Sequence, residues 1–206
     1  MTPKRRLCSQ CHLAINNCIC QHAIAVNNPV ELLVLQHPQE ANEVKNTIRL
    51  LSLCAKNIQI KIGEAFSDTE LYQLIYADQK IPLLLYPPTP EGESLGIQIA
   101  PELPDLSNLP IEQIRLVILD ATWKKSRKML YLNNELQKLP RLALVQIPPS
   151  IYAIRKAHNK NQLSSLEACC YAWRQLEQTP EAYSHLLKAF EGFVNQQRRF
   201  IENSAV

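Results

Sequence analysis

The chain has 206 residues, 46% of them hydrophobic and 20% charged, with a formal net charge of +3. That length suits one large domain plus a small appendage with a real core, and the near-neutral balance excludes a wholly basic nucleic-acid coat, so any nucleic-acid surface must be a local patch. No run of about 18 or more apolar residues occurs, which excludes an ordinary membrane-spanning helix.

The first stretch carries Lys4, Arg5 and Arg6 and leads into polar, cysteine-bearing sequence instead of the apolar segment of a secretory leader. The expected location is therefore the cytoplasm. Cys8, Cys11, Cys18 and Cys20 then place four thiols within thirteen positions, a set able to supply the tetrahedral thiolate ligation of a closed structural zinc site. Disulfides are one alternative, disfavoured in a reducing compartment. A redox Cys-x-x-Cys is another, disfavoured because the pair precedes a strand and has a second pair beside it. His12 and His22 lie close enough to replace a thiolate, while Cys54, Cys169 and Cys170 fall on predicted helices and read as small buried hydrophobes.

From Val30 onward strands and helices alternate. Val30 to Leu35 reads as a strand, and Asn42 to Cys54 as a helix with Val44, Ile48, Leu51 and Ala55 on one face. Ile58 to Ile62 is a short strand, Asp68 to Tyr76 a helix and Ile81 to Tyr86 a strand. Six of the fourteen prolines fall between Pro87 and Pro110, which marks a long irregular connection.

Ile114 to Leu119 follows, an apolar, β-branched run of the kind that forms a buried parallel strand. Asp120-Ala121-Thr122-Trp123 comes next without a spacer, and Met129, Leu132, Leu136 and Leu139 then share one helical face. Asp120 thus stands where a strand hands over to a helix, and ligands of open α/β sheets bind outside the carboxyl ends of strands. The plain alternative is a helix cap at Asp120 or Thr122 with Trp123 in the core. Against it, Lys124, Lys125, Arg127 and Lys128 crowd the first turns, where the helix dipole disfavours cations unless an anion such as phosphate meets them.

Leu142 to Ile147 is expected as a strand closed by Pro148-Pro149, and Ser164 to Leu176 as a helix opened by a Ser164/Glu167 capping box. The last helix should start with Thr179 as cap and Pro180 at its first position, with Leu186, Phe190, Phe193 and Phe200 facing the sheet. The whole reads as an α/β fold with a mostly parallel sheet flanked by helices. Only four glycines occur, too few and too scattered for a dinucleotide fingerprint or a phosphate loop.

Several blocks carry a family resemblance. Asp120 to Trp123 with Lys125 to Met129, Gln36-His37-Pro38, Asn46 to Leu51, Ser150 to Lys156 and Ser164 to Ala168 resemble, in order, the blocks of the DTW-domain family, the tRNA-uridine aminocarboxypropyltransferases. The resemblance implies a SPOUT-like fold with a knotted cofactor site, a small zinc-binding segment over residues 1–25 held by Cys8, Cys11, Cys18 and Cys20, and a catalytic domain over residues 26–206. It further implies transfer of the 3-amino-3-carboxypropyl group of S-adenosylmethionine to N3 of a tRNA uridine, with methylthioadenosine released; the compact length points to the variable loop.

On that reading Asp120 is the expected base for the N3 proton, Thr122 holds the turn or touches the donor, and Trp123 shapes the pocket or stacks on a base. Tyr86, Pro87, Leu119, Ile147 and Pro148, at strand ends, are expected walls for the adenosine, or else ordinary strand termini. Lys124, Lys125, Arg127 and Lys128 form one expected tRNA contact, and Tyr152, Arg155 and Lys156, followed by His158 and Lys160, form a second. His37 is either an acid/base group or a hydrogen-bonded core histidine, Arg49 a ligand or a solvated charge, and Glu167 a capping residue with a further role at the site. A SPOUT-type RNA methyltransferase and a non-catalytic, zinc-bearing RNA-binding module stay open as alternatives; neither a membrane nor an obligate protein partner is expected.

Overall fold

The structure, a computed structural model, describes residues 6–88, 96–152 and 163–204. Five strands form a single sheet in the order β2-β1-β4-β3-β5, and every neighbouring pair is parallel. They are β1 (Glu31–Gln36), β2 (Ile58–Ile62), β3 (Ile81–Leu85), β4 (Ile114–Asp120) and β5 (Arg141–Leu142). The helices are α1 (Pro38–Ala41), α2 (Thr47–Cys54), α3 (Asp68–Tyr76), α4 (Trp123–Leu132), α5 (Asn134–Gln137), α6 (Ser165–Glu177) and α7 (Ser184–Ser204).

Strand alternation sorts the core into two layers. Leu32, Val34, Leu116 and Ile118 pack with Ile48 and Leu51 of α2, Leu166 and Trp173 of α6, and Phe190 and Phe193 of α7. Leu33, Leu35, Leu84 and Val117 pack on the opposite side with Leu71 and Ile75 of α3, Met129 and Leu130 of α4, and Leu136 of α5. Cys11, Leu13 and Ile19 of the N-terminal segment belong to the first layer. At the amino end of the central strand, the Arg115 guanidinium is 1% exposed. It donates to Glu31 Oε1 at 2.8 and 3.1 Å and to the carbonyls of Leu74 and Ile75 at 2.6 and 3.1 Å.

Four expectations need correction. The helix expected from Asn42 begins at Thr47, because Asn46 turns its Oδ1 to cap Arg49 N at 3.2 Å and leaves Val44 exposed. The stripe through Leu132 is broken: Asn133 is extended, and its amide bonds Met129 O, Glu64 O and Phe66 N, which leaves Leu132 exposed. The strand expected over Leu142 to Ile147 stops at Leu142. There β3 ends, and Gln175 takes over Ala143 O and Val145 N at 3.0 and 3.1 Å. The last helix starts at Ser184 rather than after Thr179, since Tyr183 has φ 63° and a turn closes from Thr179 O to Ala182 N.

The chain leaves β1 through α1 and α2 toward β2 on one flank, and leaves β4 through α4 and α5 toward β5 on the other. α2 and α4 cover opposite faces. The carboxyl ends of β1 and β4 are therefore the switch point of the sheet, where an open crevice forms and ligands bind. Gln36 and Asp120 end these two strands and face each other in register. Among the described residues no helix is long and apolar enough to cross a membrane.

Candidate active site

Asp120 closes β4, yet it caps no helix. Its carboxylate turns toward α2 and α6, is 4% exposed, and gathers three neutral donors. Gln36 Nε2 and Asn46 Nδ2 donate to Oδ2 at 2.9 and 2.7 Å, and Ser165 Oγ donates to Oδ1 at 2.5 Å. Asp120 O also accepts from His37 N at 3.0 Å. Gln36, Asn46 and Ser165 each lie in a block singled out from the sequence, but nothing in the sequence assigned them to Asp120.

Thr122 stands at the cap position of α4, but its side chain makes no capping bond, and it is exposed. The cap explanation therefore does not account for this threonine. Trp123 is 49% exposed, so it is not core. Its ring meets Tyr86 edge-on at 5.7 Å, and the Arg141 guanidinium lies over the other partner of that pair, 5.6 Å from the Tyr86 centroid. Arg141 also donates to Pro87 O at 3.5 Å, and burial lowers its pKa from the ordinary value. The structure thus brings together Tyr86, Pro87, Trp123 and Arg141 beyond the ends of β3 and β4, an aromatic and cationic ledge that the sequence showed only in part. Leu119 is half-buried and packs with the second core layer. Ile147 and Pro148 are exposed and lie past the end of β5 rather than on it.

The basic turn of α4 has no acid in its first turn, but it is not without counter-charges. Lys125 Nζ meets Glu40 Oε1 at 3.1 Å, and Lys128 Nζ meets Glu64 Oε2 at 2.9 Å. Glu64 is held below the usual carboxylate range, first by Lys128 and then by His37. Lys124 is exposed and Arg127 half-buried. His37 is buried and hydrogen-bonded on both ring nitrogens: Nδ1 accepts from Gln39 N at 3.2 Å, which leaves Nε2 to donate to Glu64 Oε1 at 3.1 Å. Arg49 is likewise internal, its two forks donating to Ala41 O at 2.8 Å and Cys11 O at 3.2 Å.

Tyr152, expected among the RNA contacts, is 6% exposed. Its hydroxyl donates to Lys45 O at 2.7 Å, and its ring lies 5.7 Å from Phe190, so this side chain packs inside the chain. Arg155, Lys156, His158 and Lys160 lie outside the described residues. Glu167 makes hydrogen bonds beyond its capping box. It accepts from Ser164 N, and also from Ser150 Oγ and Ile151 N at 2.8 and 2.6 Å, which ties the 150–152 segment to α6 beside Asp120.

Away from the crevice, Cys8, Cys11, Cys18 and Cys20 bring four sulfurs within 4.8 Å of one another, a cluster that could hold a metal ion. All four are free thiols. His12, at φ 57°, makes the tight turn between the first pair and an isolated bridge from Leu7 to Ala14. Backbone N–H groups of Cys11 and Gln10 pull the Cys8 thiol down to about 6, whereas desolvation pushes Cys20 up to about 12. The cluster is tied to the domain by Arg49 on Cys11 O and by Gln196 on Cys18 O at 3.0 Å. His22 Nε2 meets Gln196 Oε1 at 2.7 Å.

Comparison with known proteins places this arrangement. The chain is similar to tRNA-uridine aminocarboxypropyltransferase 2 of Macaca fascicularis, at 27% identity over 94% of the chain and 64% of that protein. It is also similar to the proteins of the same name from Mus musculus, at 25% over 94% and 64%, and Drosophila melanogaster, at 24% over 98% and 78%. The chain thus spans about 64% of the length of the two mammalian relatives. No solved structure matches it. The family model described as the DTW domain matches residues 5–198, and the chain belongs to the DTW-domain family.

Proposed function

We propose that this protein transfers the 3-amino-3-carboxypropyl group of S-adenosylmethionine to N3 of a tRNA uridine in the variable loop, acts in the cytoplasm, and releases methylthioadenosine. The observation that most supports this is the buried Asp120 carboxylate at the switch point, held by residues from three separate family-like blocks, in a chain similar to proteins named tRNA-uridine aminocarboxypropyltransferase 2. A SPOUT-like catalytic domain over residues 26–206, with residues 1–25 as a zinc-binding segment, is part of the same reading.

The donor's sulfonium would supply an activated carbon at Cγ and a neutral leaving group. The chain must do the rest. It must expose Cγ and hide the methyl group, which positioning alone can favour by several kcal/mol. The half-exposed Trp123, with Tyr86 and Pro87 beside it, offers the flat and apolar surface that an adenosine needs, and Leu119, Ile147 and Pro148 are the further walls assigned to it in this reading. The chain must also remove the N3 proton, for which Asp120 is the base, with an expected contribution of about 10²- to 10⁴-fold. Thr122, exposed and not engaged in capping, stands at the mouth of the crevice to contact donor or base.

The tRNA is held through its phosphates by Lys124, Lys125, Arg127 and Lys128 at the start of α4. Arg155 and Lys156, outside the described residues, are assigned to a second phosphate contact, from which Tyr152 is withdrawn by its burial. Phosphate must displace Glu40 from Lys125 and Glu64 from Lys128, so the two acids keep these cations ordered until RNA arrives.

The four sulfurs fit zinc. Zn–S bonds of about 2.3 Å put tetrahedral sulfurs roughly 3.8 Å apart, and Cys8–Cys20 and Cys11–Cys18 lie at 3.7 and 3.8 Å. A full set of four thiolates leaves no open position, so the ion would brace the fold and take no part in transfer. The test is incubation with bulk tRNA and S-adenosylmethionine, then mass spectrometry of digested nucleosides and of the by-product. Methylthioadenosine with a modified uridine supports the reading; S-adenosylhomocysteine would show methyl transfer and overturn it.

A further inference from the structure

Asp120 is too well covered to meet a uridine ring directly. Both lone pairs of Oδ2 are taken by Gln36 and Asn46, and Oδ1 is covered by the Ser165 hydroxyl at 2.5 Å. Only 4% of the residue reaches solvent. Ser165 is the more accessible of the two, half-buried as the first residue of α6. Its bond to Asp120 has the short length of a charge-assisted O–H···O⁻ contact. It also sits where the dipole of a 13-residue helix favours negative charge on the hydroxyl oxygen.

We propose that Ser165 is the catalytic residue that meets the uridine imide, and that Asp120 is a positioning residue that draws the proton through it. This rests on the transfer reaction given above. The N3 proton passes to Ser165 Oγ as the hydroxyl's own proton passes to Asp120 Oδ1. The freed N3 electron pair forms the bond to Cγ of the donor, and the Cγ–S pair leaves with sulfur, giving neutral methylthioadenosine. Asp120 finishes protonated and returns its proton to solvent.

Among the described residues, three neighbouring titratable groups are committed elsewhere. Cys169 on α6 is fully buried with its thiol pushed up by desolvation. Glu167 is held by Ser150, Ile151 and Ser164, and His37 beyond β1 is held between Gln39 N and Glu64.

The test is single-turnover release of methylthioadenosine from S-adenosylmethionine with bulk tRNA, from neutral to alkaline pH, for wild type, Ser165→Ala and Ser165→Thr. Thermal melts check the fold, and Ser165→Gly serves as the hydroxyl-free variant should alanine not fold. Ser165→Ala should be slower by about 10²- to 10⁴-fold at neutral pH, with the deficit closing as solvent itself ionises the imide, while Ser165→Thr stays near wild type. An alanine variant within a few-fold of an active wild type overturns the role of Ser165 and leaves the transfer reaction standing. So does a deficit that is flat with pH and shared by threonine, which would mark a merely structural residue. A wild type that releases no methylthioadenosine overturns the transfer reaction, and this role with it.

Discussion

Replacing Asp120 separates chemistry from architecture only if the substitution is chosen from its contacts. Asp120→Ala would leave Gln36, Asn46 and Ser165 without their acceptor. At about 1–3 kcal/mol for each unsatisfied buried donor, roughly 3–9 kcal/mol is lost, comparable with the ~5–15 kcal/mol that holds a typical domain. Loss of activity in that variant would say nothing about mechanism. Asp120→Asn keeps the shape. Its carbonyl oxygen still accepts from Gln36 and Asn46, and its NH₂ faces Ser165, whose hydroxyl can rotate to accept. Weaker neutral bonds replace charge-assisted ones at about 1 kcal/mol each, partly offset because a buried charge is gone. A net cost of about 1–2 kcal/mol corresponds to a fall in Tm of roughly 2–8 °C for a chain of this size. The same change removes the proton acceptor and reverses the polarity of the Ser165 contact, so product should fall by about 10²- to 10⁴-fold. Thermal melts paired with single-turnover methylthioadenosine release measure both quantities on one sample. A variant that melts within a few degrees of wild type and turns over within a few-fold of it would refute the assignment of Asp120.

Chelation should free all four N-terminal thiols to a thiol reagent and lower the Tm, because Cys11 and Ile19 are core residues and Arg49 and Gln196 lean on the Cys11 and Cys18 carbonyls; unchanged thiol reactivity would exclude a bound ion. Lys128→Gln and Lys124→Ala should each weaken tRNA binding and reduce the slope of log affinity against log salt by about 1; binding titrations at several salt concentrations check this, and an unchanged slope would remove that lysine from the interface. Arg115→Met breaks the buried pair with Glu31 and strands the Leu74 and Ile75 carbonyls. It should cost about 3 kcal/mol in urea unfolding, with turnover per folded molecule unaltered because Arg115 lies at the opposite end of β4 from Asp120.

Legibility followed how local the cause was. Ile58–Ile62 and Asp68–Tyr76 were readable to the residue as a short strand and a helix, and the structure adds Ser67 as the cap of the latter. The Ser164/Glu167 capping box was equally plain, since both partners lie within four positions. Two of the four boundary errors fell where a distant side chain decided the boundary. Asn133 ends α4 by bonding the Glu64 and Phe66 backbone, and Gln175 ends β5 by capturing Ala143 and Val145. Neither partner is visible in a local window, so periodicity alone extends the helix and the strand too far.

For the site the division is similar. Asp120 at the end of an apolar strand, with a threonine, a tryptophan and a basic turn after it, could be picked out from composition and spacing, because strand, turn and helix follow directly in the chain. The four cysteines could be grouped for the same reason. What only the tertiary structure decided is who surrounds the carboxylate: Gln36 through the β1–β4 register, Asn46 through the start of α2, and Ser165 through the packing of α6 on α2. These residues lie between 45 and 84 positions from Asp120, and polar side chains at such distances leave no periodic trace. A parallel sheet whose connections run to opposite flanks from β1 and β4 brings them to one point, and hydrogen bonding to a buried charge then holds them there.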